Sequence, residues 1–260
     1  MLPSHRSWSQ LSSYERCPQA FYLERIKKAW QRPAAWLPQG LGVHEAAEAY
    51  EKSGRTMSLD QAQDVFADSY QKHTNRLAET TPDFDFWFCS GPYKGEQDIK
   101  RRYSLGYEQT AKYVDYYDQH SDEVIWIDSD GNPAIELGFR LDLDGVEVVG
   151  YIDQVLDHPK HGTYVRDIKT GNKPGGPDQL KLYAMAVEDN HGQAVSSGDF
   201  WMGRTGRPGR RAKLDEVSAQ ELVDRFGEMD QAVKAERFDP APEPSKCAFC
   251  PVSLDCAYVQ

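Results

Sequence analysis

Apolar positions in the first half of the chain recur at helical spacing. The clearest example is the series Ile99, Tyr103, Tyr107, Ala111 and Val114, whose members are three or four residues apart. The predicted helices are a segment within 7–26 that is interrupted at Cys17-Pro18, a helix over 42–52, a helix from the capping box at 58–61 to about 78, and a helix over 95–119. We expect 30–38 and 80–93 to be loops.

From about residue 124 the pattern changes to the period of two that is typical of strands. Asp144-Gly145 predicts a tight hairpin between the first two long strands. The predicted elements are strands over 134–143, 146–157 and 163–169, a helix over 177–189, a strand over 194–202, and a helix over 219–236. This order predicts an α/β fold in which helices flank a mixed central sheet and a helical part precedes it.

The second predicted hairpin, which reverses at 158–162, brings two acids together. If the reversal centres on Lys160, paired positions sum to 320 and Asp153 faces Asp167. Lys169 then shares the face of Asp167, because side chains alternate along a strand. Opposed carboxylates repel each other unless a cation such as Mg²⁺ neutralises them. The alternative is two solvated charges beside a lysine. Glu136, on the preceding strand, is a further acidic candidate.

His44 is a candidate ligand from the helical part. A helix that begins at Gly42 places His44 in its first turn, where the positive helix end disfavours imidazolium. A neutral imidazole can bind a metal. The more common alternative is an ordinary packed or surface histidine. Gln179 and Tyr183 are four residues apart and are expected on one helix face.

Composition and charge limit the classes of partner and the cellular location that we expect. The chain has 260 residues and a net charge of −11, which argues against a general electrostatic coat for nucleic acid but permits a local basic groove. Without a long apolar run or a signal-peptide pattern, we expect a soluble cytoplasmic protein that does not contact membranes. We expect a single domain over 1–260 with three parts: a helical part at 1–122, a catalytic core at 123–236, and a cysteine-rich segment at 237–260.

The segment 203–213 is basic in an otherwise acidic chain. It contains five cations and no acid: Arg204, Arg207, Arg210, Arg211 and Lys213. Basic loops that contain glycine can follow a phosphate backbone, so these residues are candidates for DNA contact. The alternative is a solvated hairpin tip. Arg101 and Arg102 form a second basic pair, either on a solvated helix face or in contact with phosphate.

Three cysteines near the C-terminus have the spacing of metal ligands. Cys247, Cys250 and Cys256 lie within ten residues of one another in a chain without a secretion signal, so they indicate a metal site rather than disulfides. A fourth thiolate could come from Cys17 or Cys89. Spacing alone does not decide between tetrahedral zinc and an iron–sulfur cluster.

Taken in chain order, these residues form a set of motifs. They are Cys17-Pro18, GxxxH at 40–44, GxxD at 150–153, DxK at 167–169, QxxxY at 179–183, and the C-terminal cysteine triplet. The set resembles the iron–sulfur branch of the RecB-type nuclease family in the PD-(D/E)XK superfamily. That branch includes CRISPR-associated RecB-like exonucleases and the nuclease domain of AddB. Asp167 stands where many relatives carry Glu.

The resemblance implies a role for each motif residue. His44, Asp153, Asp167 and the backbone carbonyl of Ile168 would hold Mg²⁺ or Mn²⁺. Lys169 would orient or deprotonate the attacking water and offset phosphate charge. Gln179 and Tyr183 would position the lysine or the DNA strand. These assignments imply a restriction-endonuclease-like core.

The resemblance also implies that four cysteines bind a [4Fe–4S] cluster: Cys17, Cys247, Cys250 and Cys256. Such a cluster would staple the two ends of the chain by closing a loop of roughly 230 residues. We expect its role to be structural, with no electron transfer.

The predicted function is that of a metal-dependent DNA nuclease, an exonuclease on single strands or DNA ends. The setting implied by the family is recombination, repair, phage DNA processing or CRISPR adaptation, with the chain acting alone, as a homo-oligomer or beside a partner protein. Two alternatives belong to other classes: a catalytically silent iron–sulfur DNA-binding module, and a zinc-stapled scaffold protein.

Overall fold

A computed structural model describes residues 4–260 and divides them into two compact units. The terminal unit consists of 4–33, Arg140–Gly150 and Ser218–Gln260. The central unit consists of Ala34–Phe139 and Tyr151–Val217. Within the described residues, no helix combines the length and the apolarity needed to traverse a bilayer.

The α-helices lie close to where periodicity predicts them. They are α1 Trp8–Arg16, α2 Pro18–Phe21, α3 Trp36–Lys52, α4 Leu59–Thr80, α5 Gly95–Gln119, α6 Pro177–His191, α7 Ala219–Lys234 and α8 Pro244–Cys247. Short 3-10 turns lie at Phe84–Phe86, Leu214–Glu216 and Ser253–Asp255, and a π-turn lies at Tyr22–Ile26. The predicted capping box forms at the start of α4, where Ser58 and Gln61 cap each other.

One helix boundary was predicted wrongly. α3 begins at Trp36, six residues before the expected start at Gly42. Pro38 suggested a loop, but it lies in the first turn of α3, where proline removes no intrahelical hydrogen bond. His44 is therefore in the middle of α3, not in its first turn.

The strands form one mixed sheet. They are β1 Val124–Ile125, β2 Ile135–Leu143, β3 Val146–His158, β4 Gly162–Lys169, β5 Ser197–Met202, β6 Arg207–Pro208 and β7 Ala212–Lys213. The order along the sheet is β1-β3-β4-β5-β6, with β2 beside β3 and β7 beside β5. β4 and β5 are parallel and are connected by α6, whereas β3 and β4 are antiparallel. The predicted α/β fold with a mixed sheet and flanking helices is confirmed.

The central unit has an aromatic core between the sheet and α3–α5. Ile168 and Trp201 from the sheet are buried with Phe66 of α4 and Tyr113 of α5. Gly42 of α3 permits this packing, because a Cβ atom there would lie 2.9 Å from the ring of Phe66. Ile168, which lies between Asp167 and Lys169 in β4, therefore anchors that strand in the core.

A buried ionic network fixes β4 against β5. Arg166 is fully buried, and its guanidinium contacts Asp199 and Glu123, each over 2.6 Å. Its Nη1 also donates to the hydroxyl of Tyr117 over 2.9 Å. A buried charge is tolerated only when it is paired in this way. These contacts fix the position of Arg166, which directly precedes Asp167 in β4.

The terminal unit brings the two ends of the chain together. Arg6 pairs with Asp230 of α7 over 2.7 Å, and Tyr14 of α1 donates to the carbonyl of Arg237 over 2.9 Å. Val252 is fully buried against Ala20. This packing places Cys17 in the same unit as the C-terminal cysteines.

Candidate active site

The register of the β3–β4 hairpin agrees with the prediction from its turn. Paired residues run from His158 and Gly162 to Gln154 and Arg166, and their numbers sum to 320. Asp153 is one residue beyond the last of these pairs. There its Oδ2 accepts a hydrogen bond from the backbone N–H of Ile168 over 2.6 Å. This bond holds the carboxylate of Asp153 against the end of β4.

Three side chains form a cluster with the composition of a metal site. His44 comes from α3, Glu136 from β2 and Asp153 from β3, and one ligand atom from each lies within 4.8 Å of the other two. His44 Nδ1 is 3.6 Å from Asp153 Oδ2 and 3.9 Å from Glu136 Oε1. Two carboxylates and an imidazole are suitable ligands for a divalent cation.

Glu136 has a strained backbone. Its φ is +47°, a left-handed value that non-glycine residues adopt infrequently. Such strain is commonly found at functional sites, where the surrounding structure compensates for it. The sequence marked Glu136 only as a further acid, and the predicted ligand set did not include it. Its position in the strand before the hairpin was the signal that could have identified it.

The remaining predicted catalytic residues form a second cluster around Asp167. Lys169 Nζ lies 2.7 Å from Asp167 Oδ2. Gln179 Nε2 donates to Asp167 Oδ1 over 2.7 Å, and its Oε1 accepts from Lys169 over 3.2 Å. Tyr183 donates to the same Asp167 oxygen over 3.4 Å and accepts from Gln179 over 2.8 Å. Gln179 therefore connects all three of the other residues.

The two clusters divide the predicted metal ligands. His44 and Asp153 are in the first cluster. Asp167 lies beside that cluster but not within it, since both of its oxygens contact Lys169, Gln179 or Tyr183. The N–H of Ile168 donates to Asp153, and its role as a ligand through its carbonyl stays a prediction.

The side chains of this cluster shift one another's pKa values. Burial and the carboxylates of Asp167 and Glu136 outweigh the effect of His44 and raise the pKa of Asp153 to about 7. Burial lowers the pKa of His44, but Asp153, Glu136 and Asp167 outweigh it and raise that pKa to about 9. The first-turn position expected for His44 was wrong, so the nearby acids and not the helix end set its pKa. A neutral imidazole bound to a metal stays a prediction.

A sequence model of the PD-(D/E)XK nuclease superfamily matches residues 5–257. The chain belongs to the PD-(D/E)XK nuclease superfamily. Nucleases of this superfamily use divalent metals, and the cluster of His44, Glu136 and Asp153 is a suitable candidate site for one.

Relatives of this nuclease occur in two mycobacteriophages. The chain is 43% identical to the Gene 69 protein of Mycobacterium phage D29 over 259 residues, which covers 96% of each chain. It is 42% identical to the Gene 69 protein of Mycobacterium phage L5, covering 96% of this chain and 95% of that protein.

A solved structure shares the fold of this nuclease. It is a candidate exonuclease from Eubacterium rectale, with a TM-score of 0.54 and 11% identity, and the alignment covers 99% of this chain and 90% of that one. At this identity the similarity shows the fold alone.

Four of the five cysteines of the nuclease line one small cavity in the terminal unit. They are Cys17, Cys247, Cys250 and Cys256, beside Pro240 and Pro242. Cys89 lies in the central unit, where its thiol is 3.9 Å from the carbonyl of Trp87. Within residues 4–260, no three cysteine sulfurs all lie within 4.8 Å of one another. Whether these thiols bind zinc or an iron–sulfur cluster stays a prediction.

The predicted basic segment of the nuclease does not act as one surface. Arg211 pairs with buried Asp199 over 3.1 Å and lies 3.7 Å above the ring of Tyr164. Lys213 pairs with Glu216 over 3.2 Å. The other three cations of the segment are exposed: Arg204, Arg207 and Arg210.

Proposed function

We propose that the chain is a Mg²⁺- or Mn²⁺-dependent deoxyribonuclease that hydrolyses phosphodiester bonds in single-stranded DNA or at DNA ends. The observation that supports it is the position of the His44, Glu136 and Asp153 cluster beside the pair formed by Asp167 and Lys169. A cation site next to an ammonium group is the arrangement that a phosphodiester and its attacking water require.

His44, Glu136 and Asp153 would hold the cation, and Asp167 with the carbonyl of Ile168 would complete its coordination. The bound metal supplies positive charge at the scissile phosphate and lowers the pKa of the attacking water. The hydrogen bond from Ile168 to Asp153 orients that carboxylate in advance. We add Glu136 to the ligand set predicted from the motifs because it lies in the same cluster as His44 and Asp153.

Lys169 would act on the attacking water and the phosphate. Asp167 and Gln179 restrain its ammonium group from two sides. A lysine held in this way can orient the water for in-line attack and offset the charge that develops on phosphorus-bound oxygens. Gln179 and Tyr183 are positioning residues, because they reach the reacting groups through Asp167 and Lys169.

The biological setting is supported by the phage relatives, whereas exonuclease activity is carried over from the name of a protein that shares only the fold. The E. rectale protein that shares the fold is a candidate exonuclease, and the relatives are encoded by phages. We therefore favour phage DNA processing in the host cytoplasm over CRISPR adaptation, with a recombination partner or a second copy of the chain as the associated protein. The catalytic core is assigned to 123–236, with His44 contributed from 1–122.

We further propose that Cys17, Cys247, Cys250 and Cys256 bind a [4Fe–4S] cluster, which would place the chain in the iron–sulfur branch of RecB-type nucleases. Support comes from their shared cavity and from the exclusion of Cys89 from it. Val252, buried between these cysteines and Ala20, gives the site an apolar wall. The cluster would bind 237–260 to the N-terminal helices.

The test of the nuclease function is digestion of 5′- and 3′-labelled single- and double-stranded DNA with Mg²⁺ or Mn²⁺. Mononucleotides released from one labelled end, with a closed circle left intact, would support an exonuclease. Cutting of the circle would identify an endonuclease. Binding without any cleavage under both metals would contradict the proposal and favour the silent DNA-binding module.

A further inference from the structure

A polar groove lies beside the active site in the central unit. Its volume is about 560 Å³, which is within the range of ligand-binding clefts. Four of its described lining residues are cations. Two lie near the start of α5, one lies in its second half, and one lies in the turn after β5: Arg101, Arg102, Lys112 and Arg204. The single acid on its wall is Glu108.

The turn after β5 is held against α5 by two glycines. A Cβ atom at Gly203 would lie 2.9 Å from the side-chain amide of Gln109, and one at Gly206 would lie 2.8 Å from Cβ of Lys112. Gly206 also has a φ of +69°, which favours glycine. Lys112 Nζ donates to the carbonyl of Arg204 over 3.2 Å. Arg204 is thereby placed at the edge of the groove.

The groove continues directly from the catalytic strand. Thr170, Gly171 and Asn172 line it, and they follow Lys169 in the chain. Gln109 of α5 donates to the carbonyl of Thr170 over 3.0 Å, and the N–H of Gly203 donates to the carbonyl of Lys169 over 2.9 Å. The wall of the groove is therefore joined to the end of the strand that carries Lys169.

The cations of the groove differ in how far the protein neutralises them. Arg101 and Arg102 lie 3.4 and 3.7 Å from buried Asp98, and Arg102 also donates to Gln39. Lys112 contacts a carbonyl oxygen, and Arg204 is exposed. Of the four groove cations, Lys112 and Arg204 are therefore the two whose charge is least offset by Asp98. In a chain with a net charge of −11, they are the cations most available to bind an external anion.

We infer that this groove binds the backbone of the DNA strand that is being cut, with Lys112 and Arg204 contacting phosphates next to the scissile one. This inference rests on the proposed nuclease function and adds the path of the substrate to it. The predicted DNA-contact surface is therefore the groove between α5 and the turn after β5, and not the whole basic segment 203–213. Trp36, on the wall of the groove, offers an aromatic surface for a base.

The experiment measures binding of fluorescently labelled oligo(dT) by anisotropy, with Ca²⁺ in place of Mg²⁺, over a series of salt concentrations. The variants are Lys112→Met and Arg204→Gln, which remove charge but keep most of the side-chain stem. Each is expected to weaken binding about 3- to 10-fold at low salt and to reduce the slope of log K against log salt by about 0.7, because each phosphate contact to a single strand contributes about that much.

Lys100→Met is the matched control, since Lys100 is an exposed cation of α5 that pairs with Glu96 and does not line the groove. Its binding and salt slope should equal those of the wild type. An equal loss in Lys100→Met, or unchanged binding and slope in both groove variants, would overturn the inference. Thermal unfolding of each variant checks that the fold is intact.

Cleavage assays separate this inference from the proposed function. With Mg²⁺, the groove variants should raise KM and leave kcat at saturating DNA within about twofold, because phosphates away from the scissile bond contribute binding. If the wild type cleaves but the variants bind normally, the groove assignment fails and the nuclease stands. If the wild type never cleaves but the variants lose affinity, the nuclease proposal fails and the groove stands.

Discussion

The carboxylate of Asp153 accepts a hydrogen bond from the backbone N–H of Ile168 over 2.6 Å. Asp153 lies just beyond the last paired residues of the β3–β4 ladder, so its side chain provides the contact that the backbone pairs provide earlier in the hairpin. The bond directs one carboxylate toward His44 and Glu136 while Asp167, on β4, contacts Lys169. This backbone hydrogen bond thus links the candidate metal ligand Asp153 to the strand that carries Asp167 and Lys169.

Lys169→Ala should abolish cleavage and leave DNA affinity nearly unchanged. Loss of a proton-transfer or water-orienting group reduces the rate by about 10²- to 10⁴-fold, and the groove cations would still hold the strand. Initial rates with Mg²⁺ and anisotropy with Ca²⁺ measure the two quantities. Lys160→Ala, at the exposed tip of the same hairpin, is the control and should cleave at the wild-type rate. Normal cleavage by Lys169→Ala would refute the assigned site.

Glu136→Gln should weaken metal binding, because it removes one of three charged or imidazole ligands but keeps the shape of the side chain. At a free metal concentration about 100-fold above Kd, bound metal adds about 2.7 kcal/mol to the free energy of unfolding of the wild type. That gain corresponds to a rise in Tm of about 5–10 °C. In Glu136→Gln the metal concentration for the same rise should increase at least about tenfold.

The control for that titration is Glu96→Gln, which removes an exposed carboxylate of α5. Its metal titration should match that of the wild type. Superimposable titrations of Glu136→Gln and the wild type would show that Glu136 is not a ligand. They would favour the set predicted from the motifs, which is His44, Asp153, Asp167 and the carbonyl of Ile168.

Glu123→Gln should change the dependence of stability on pH. Burial raises the pKa of Glu123, but Arg166 outweighs burial and holds that pKa below its usual value of 4.5. A carboxyl whose folded pKa is depressed stabilises the protein above the unfolded pKa, and this contribution is lost as pH falls through the folded pKa. Glu123 therefore stabilises at pH 7, and its contribution decreases below about pH 4.5.

Urea unfolding at pH 7 and at about pH 4 tests this expectation. Glu123→Gln should lower the free energy of unfolding at pH 7 by about 1.5–3 kcal/mol, because Arg166 loses one charged partner but keeps Asp199. It should also reduce the loss of stability between the two pH values. Equal pH dependence in the variant and the wild type would show that the acid sensitivity arises elsewhere.

Cys256→Ala should remove the proposed iron–sulfur cluster, whereas Cys89→Ala should not. The two changes are chemically identical, but Cys256 lines the cavity with three other thiols and Cys89 lies in the central unit. Anaerobically purified protein should contain iron and sulfide and should absorb light at about 400 nm. The absorbance should be lost in Cys256→Ala and kept in Cys89→Ala. One zinc per wild-type chain, with no iron, would contradict the cluster.

Loss of the cluster should also affect the stability of the chain ends. Chain ends fray unless they are tied down, and the cysteine segment follows α7 with only short helical turns of its own. Limited proteolysis of Cys256→Ala should cut within 237–260 faster than in Cys89→Ala. Equal cleavage rates would show that packing around Val252 holds the segment without a cluster.

The amino-acid sequence by itself determined the local structure and most of the motif positions. The turn at 158–162 sets the register of its hairpin, because a tight turn leaves little freedom in pairing. Helical spacing places Gln179 and Tyr183 on one face, and both side chains reach Asp167. These features depend on residues that are close in the chain, so periodicity and turn chemistry were sufficient to predict them.

Only the tertiary structure decided which charges meet across long separations. Glu136 joins His44 and Asp153 because β2 and α3 approach β3, and no local pattern encodes that approach. Arg211 and Arg204 belong to one basic segment but have different partners. Arg211 pairs with buried Asp199, whereas the backbone carbonyl of Arg204 accepts a hydrogen bond from Lys112 of α5 at the groove. Electrostatic contacts between distant segments depend on packing, and the packing arises from the whole core rather than from any one stretch of residues.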